Sequence, residues 1–210
     1  MVLNSLCALA DINDLDRPRI TYAELIITKT GQVFNHTNQI HRPLISKPVM
    51  KNHSVVSIQT QDRDWVKQVV AEQWASSIVV TRGQVHRPAR LPGFVCWKGE
   101  ERVGLVTYRI EKHNCEIITL NSFAEREGIA TELLQAAEKA ALKSGCNRLW
   151  VITTNDNLDA LRFYQKRGFK ITDIHKEALK ESRRLKPEIP EIGLYEIPLR
   201  DEIELGKSLH

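Results

Sequence analysis

The chain has 210 residues, enough for one domain with a proper core and an appendage but too few for two comfortable domains. Its 42% hydrophobic and 27% charged residues are the balance of a globular protein; 30 basic against 26 acidic residues, spread along the chain with only 6% aromatics, argue against a dedicated nucleic-acid binder. The four cysteines (Cys7, Cys96, Cys115, Cys146) form no C-x-x-C pair, the histidines form no H-E-x-x-H, no apolar run nears the roughly 20 residues of a membrane span, and the start "MVLNSLCALADINDLD" lacks a basic region, so free thiols, no metal site, no membrane segment, no secretory signal and a reducing, cytoplasmic setting are expected.

Residues 1 to 50 are mixed in character, with a strand expected at "YAELIITKTGQVF" and then the polar "NHTNQIHRPLISKPVM". Met50, the only internal methionine, directly precedes the first clearly patterned strand, "SVVSIQT". The functional domain is therefore expected at 51–210, with 1–50 as an N-terminal extension that is flexible or not part of the native product. In "DRDWVKQVVAEQW", Val66, Val69, Val70 and Trp74 fall on one face of an amphipathic helix. "SIVVTRGQVH" reads as a strand or extended loop and "RPARLPG" as a proline-marked connection. From "FVCWKGEERVGLVTYRIEKHNCEIITLNSF" the polar breaks predict a three-stranded antiparallel meander.

After Gly128 the period changes to that of a helix of about four turns, closed by Gly145. "NRLWVITT" is a strand of the type buried on both faces, followed by an Asn155-Asp156-Asn157 turn and a helix at "LDALRFYQKRG". A strand at "FKITDI", a charged helix at "KEALKESRRLK" and a last alternating strand at "LRDEIEL" complete an α/β fold with a mixed sheet; the run Arg183-Arg184-Leu185-Lys186 is expected to be a solvated helix face.

The helix start at "EREGIA" offers unpaired N–H groups and the positive end of a helix dipole, with Gly128 and Ala130 small enough for close approach by a phosphate. Taken alone, the same residues also read as an ordinary helix N-terminus with a packing glycine. Neither the P-loop nor the dinucleotide-binding glycine pattern is present.

Over residues 52 to 205 the sequence resembles the GNAT superfamily of N-acetyltransferases. The family's acetyl-CoA loop, [QR]-x-x-G-x-[GA], is matched by Glu125 to Ala130 except at Glu125, and its later signature, N-x-x-A-x-x-x-Y-x-x-x-G-F, is met by Asn157, Ala160, Tyr164, Gly168 and Phe169. The resemblance implies a GNAT-like fold with a mixed, mostly antiparallel central sheet flanked by helices. It implies acetyl-CoA as acyl donor, held by Leu120, Asn121, Arg126, Glu127, Gly128, Ile129, Ala130, Thr131, Asn157 and Ala160. Asn157, Ala160 and Tyr164 would share one helix face, and Tyr164 would act as general acid toward the departing thiolate, since a phenol is protonated at neutral pH. Glu116, on the strand leading to the loop and sharing a face with Ile118 and Leu120, is the candidate base; an exposed strand-end glutamate is the plain alternative. Arg82 and His86 are candidate acceptor contacts, as are Glu188 and Glu191, and the segment holding the charged helix is a candidate lid. The expected activity is direct transfer of an acetyl group to a primary amine, a small molecule in preference to a protein amine. A non-catalytic acyl-CoA-binding regulatory module is the competing class. No nucleic-acid or membrane partner is expected, and a homodimer stays open.

Overall fold

The structure is a computed structural model that describes residues 53–124 and 126–210. The expectations for residues 1–50, Cys7 and Glu125 lie outside these. Among the described residues nine strands and four α-helices run in the order β1 (Ser54–Ser57), α1 (Arg63–Trp74), β2 (Val79–Thr81), β3 (Gln84–His86), β4 (Gly93–Lys98), β5 (Glu101–Glu111), β6 (Asn114–Ser122), α2 (Ile129–Lys143), β7 (Arg148–Thr154), α3 (Leu158–Gln165), β8 (Lys170–His175), α4 (Ala178–Leu185) and β9 (Glu202–Ser208). Among the described residues no helix is long and apolar enough to cross a membrane.

Seven strands form one sheet in the order β1-β4-β5-β6-β7-β9-β8, and β2 and β3 form a separate hairpin. Every pair in the large sheet is antiparallel except β6 with β7, so the sheet is mixed and mostly antiparallel as expected. The chain reaches β7 through α2, because parallel neighbours need a long crossover. β9 inserts between β7 and β8, a placement that local pattern does not foretell.

Two apolar layers cover the sheet. One joins Ile117, Leu120 and Val151 to Ile129 and Leu133 of α2 and to Phe163 and Tyr164 of α3. The other joins Val95, Leu105 and Ile118 to Val66, Val69, Val70 and Trp74 of α1 and to Leu179 of α4. The four-residue face read from the α1 sequence is thus the buried one. At the start of α1, Asp62 accepts from the Gln59 N–H at 2.9 Å and is held by Arg102 at 3.0 Å, whose guanidinium lies 4.4 Å over the Trp97 ring. α2 lies close on β5 because Gly104 has no side chain; a Cβ there would stand 2.6 Å from Ile129 and 2.8 Å from Leu133. Gly145, with φ of 74°, follows the end of α2, and the Cys146 N–H reaches back to the Ala141 carbonyl at 3.0 Å, closing the helix as predicted.

Three expectations change. Glu116 and Ile118 do share a face, but Leu120 packs in the opposite layer. Thr107 pairs with Thr119 while Tyr108 pairs with Ile117, and this bulge at Ile118 breaks the alternation. The last strand begins at Glu202 because the N–H groups of Arg200 and Asp201 both donate to Asn155 Oδ1, at 3.0 and 2.9 Å. The basic run at the end of α4 is not a solvated face throughout. Arg183 donates to the carbonyls of Ile189, Pro190 and Leu199, and Lys186, 2% exposed, donates to the Ile78 carbonyl at 3.1 Å. Carbonyls of the long segment after α4 need donors, which Arg183 supplies, while Lys186 serves the Ile78 carbonyl just before β2.

Candidate active site

Just before α2 the backbone is left-handed at Arg126, with φ of 60°, and again at Gly128, with φ of 81°, while Glu127 between them is not. Such alternation curls successive N–H groups toward one side, a concavity that suits anions. The first turn of α2 closes with the N–H groups of Thr131 and Glu132 on the Gly128 carbonyl, so those of Ile129 and Ala130 precede the ladder. A Cβ on Gly128 would meet nothing within 4 Å, so the space over the turn is open. Glu127 turns its carboxylate to Lys98 at 2.7 Å, which leaves its backbone rather than its side chain facing the cradle.

β6 and β7 pair only over Asn114–Ile117 and Arg148–Val151. Beyond that ladder the strands part, and the parting is flanked by Asn121 on β6, Thr153 on β7 and Asn157 just after β7. Asn121 Oδ1 and Nδ2, Thr153 Oγ1 and Asn157 Nδ2 are all buried without a hydrogen-bond partner. Buried polar atoms are rarely left so, and these lie on both faces of the sheet: Asn121 shares a face with Leu105 of the α1 layer, Thr153 with Ile203 on the α2–α3 layer. Asn157 is not on the α3 face with Ala160 and Tyr164, as the sequence suggests. It caps the helix, its Oδ1 accepting from the Ala160 N–H at 3.0 Å, so its Nδ2 alone is free to meet a ligand.

Tyr164 is fully buried, with its ring centroid 5.2 Å from those of Phe163 and Phe169. Burial pushes its phenol well above the ordinary value, against the pull of the Arg167 guanidinium. Arg167, which sequence reasoning missed because it falls on a variable position of the signature, ties the two motifs together. It donates to Thr131 Oγ1 in the first turn of α2 and to the Phe163 carbonyl in α3, and lies 3.5 Å over the Phe163 ring.

On the opposite face of the sheet one row crosses three strands: Glu116 of β6 is the register partner of Arg109 of β5 on one side and of Trp150 of β7 on the other. Glu116 is 3% exposed, which rules out the strand-end alternative. Its Oε2 accepts from Arg109 Nη2 at 3.0 Å and its Oε1 from Thr81 Oγ1 at 3.4 Å. Burial raises its pKa, and Arg109, Thr81 and Arg82 only partly offset that. The β2–β3 hairpin brings both candidate acceptor contacts here. His86 Nε2 lies 2.9 Å from Thr81 Oγ1, and burial, helped by Arg109, lowers its pKa to about 4, so the ring is neutral at pH 7. Arg82 donates its N–H to Glu202 at 2.8 Å, and its guanidinium lies 3.5 Å from Glu204. Glu188 and Glu191 are exposed and apart from this row.

The sequence reading missed Glu202 and Glu204, buried carboxylates on β9. Glu204 is held by Arg148, Thr172 and His175, and Arg148 also stacks over Trp150 at 5.5 Å. The signal was there: acidic side chains alternating along a strand whose other face, Ile203 and Leu205, belongs to the core. Arg109, Lys112, Glu116, Arg148 and Trp150 line a cleft of about 240 Å³ at the start of β6 and β7. Among the described residues no group of three or more His, Cys, Asp or Glu could hold a metal ion.

The model of the acetyltransferase (GNAT) family matches residues 57–169. Two uncharacterized proteins of Bacillus subtilis (strain 168) are similar in sequence. YdhI is 41% identical over 140 residues, which are 66% of this chain and 88% of YdhI; YxbD is 38% identical over 148 residues, 70% of this chain and 93% of YxbD. Among solved structures, a GNAT family acetyltransferase from Elizabethkingia anophelis with acetyl-CoA bound shares the fold at a TM-score of 0.56 and 21% identity, over 76% of this chain and 99% of that one. With the loop before α2 and the signature of α3 both lying inside the matched segment, the chain belongs to the GNAT family of acetyltransferases.

Proposed function

We propose that the protein is an acetyl-CoA-dependent N-acetyltransferase that acts by direct attack of a primary amine. The observations that carry this reading are the buried, partnerless polar atoms of Asn121, Thr153 and Asn157, which follow the ladder shared by β6 and β7, together with the open concavity over Gly128. These residues fit a long ligand with a polyanionic end and an amide-bearing arm. The N–H groups of Gly128, Ile129 and Ala130, with Arg126 and Thr131 beside them, hold the phosphates. The backbone of Leu120 and Asn121 meets the arm and the acyl carbonyl. Acetyl-CoA, when bound, supplies an activated acetyl group on a thiolate leaving group.

Glu116 takes the proton from the acceptor nitrogen at its carboxylate, which ionises at a higher pH than an exposed glutamate and is a stronger base for it. Tyr164 gives its phenolic proton to the departing sulfur. Its raised pKa keeps that proton in place across the working pH range. The solved Elizabethkingia anophelis neighbour with acetyl-CoA bound supports the choice of donor. The experiment is thiol release from acetyl-CoA over a panel of primary amines with wild type and Glu116→Gln. Amine-dependent release that falls in the variant supports the reading; release that is amine-independent, or untouched by the substitution, removes it.

A further inference from the structure

The cleft at the start of β6 and β7 is unevenly supplied with charge. Its carboxylates already face cations: Glu116 accepts one bond on each oxygen, from Arg109 and Thr81, and the largely exposed Glu111 lies 3.5 Å from Arg109. Its donors are less fully engaged. Lys112 makes no ion pair among the described residues, Arg109 Nε is buried without an acceptor, and Arg148 gives only Nη2 to Glu204 and Thr172. A cationic acceptor such as a polyamine would add positive charge beside Arg109, Lys112 and Arg148. An anion instead gives the buried Arg109 Nε an acceptor and meets the exposed charge of Lys112 and the half-buried charge of Arg148. Trp150, 9% exposed, forms an apolar wall beside them. At about 240 Å³ the cleft is smaller than the roughly 300–1,000 Å³ of sites for drug-sized ligands, so its guest is of amino-acid size.

We propose that this cleft seats the carboxylate of the acceptor through Lys112, Arg109 and Arg148, and that the acceptor is an amino acid or a close relative rather than a simple amine or polyamine. The proposal rests on the transferase reading for the reaction but not for the binding. Because Glu116 belongs to the same lining, a ligand held by its carboxylate carries its amine within the cleft that contains the base.

The test uses matched pairs on the full chain: phenylalanine with 2-phenylethylamine, and leucine with isopentylamine. Acetyl-CoA-dependent thiol release is measured together with fluorescence titration of the same compounds without acyl donor, and the Trp150→Phe variant identifies the Trp150 signal. The expected result is a preference of about tenfold or more for the carboxylated member in both readouts, reduced about tenfold in Lys112→Gln through KM rather than kcat. Equal or better use of the decarboxylated amines, no fluorescence response to any amino acid, or an unchanged preference in Lys112→Gln overturns the proposal. If acetyl-CoA itself fails to bind, the transferase reading fails while the titration still decides whether the cleft takes carboxylates.

Discussion

Arg109 and Glu116 face each other across the β5–β6 ladder, with Nη2 3.0 Å from Oε2, yet the carboxyl still ionises above its ordinary range because burial outweighs the pairing. If Glu116 is the base, activity needs the carboxylate, so the acidic limb of kcat/KM lies above the range of an exposed glutamate. Arg109 favours the charged form, so Arg109→Met moves that limb to still higher pH. A pH profile of thiol release for the two proteins checks this; a limb that stays in place in the variant separates Glu116 from the chemistry.

Tyr164→Phe keeps the ring between Phe163 and Phe169 and removes only the hydroxyl. Its expected effect is a fall in kcat of roughly 10²–10⁴, the usual yield of a positioned acid, with acetyl-CoA affinity unchanged. Since burial holds the phenol above its usual value, any alkaline limb near neutral pH belongs to another group. Single-turnover kinetics beside calorimetric titration of the same samples separates chemistry from binding.

His86 sets a pH dependence of stability. Its folded pKa of about 4 lies below the value of 6.5 for the unfolded chain. The unfolded state therefore binds the proton first: the contribution is complete above pH 6.5 and is lost as pH falls toward 4, by up to about 3 kcal/mol. Urea denaturation at pH 7 and pH 4.5 shows the loss, and His86→Gln, which can still bond Thr81, shows less of it.

Gly104→Ala places a methyl group 2.6 Å from Ile129 and 2.8 Å from Leu133. Overpacking of this kind costs about 1–3 kcal/mol, or a fall in Tm of roughly 2–12 °C for a chain of this size. Because α2 carries the cradle at its start, acetyl-CoA affinity falls with it. Thermal melts with and without acetyl-CoA read both effects.

The residues of the loop before α2 and of α3 were legible because both motifs are local: Gly128 must turn left-handed, and Asn157 must sit where a helix begins. The periodicity of α1 was legible for the same reason, since Val66 to Trp74 need only helical geometry to share a face. What the sequence hid depends on distant partners. Ile118 looks like any other residue of an alternating strand until Thr107 and Tyr108 fix the bulge opposite it. Glu202 and Glu204 look solvated until β9 enters the sheet between β7 and β8 and the hairpin with Arg82 closes over them. Lys186 reads as a surface charge because nothing near it in sequence reveals that the Ile78 carbonyl awaits a donor.

If the turn at Gly128 cradles the phosphates of acetyl-CoA, an acidic side chain there abolishes binding. Calorimetric titration of acetyl-CoA into wild type and Gly128→Asp decides this, with circular dichroism confirming that both are folded. Saturable one-to-one binding is expected for wild type and its loss in the variant, where a carboxylate would stand in the open space over the turn and strain a backbone of φ 81°. No binding by folded wild type, or equal binding by both proteins, would contradict the cradle.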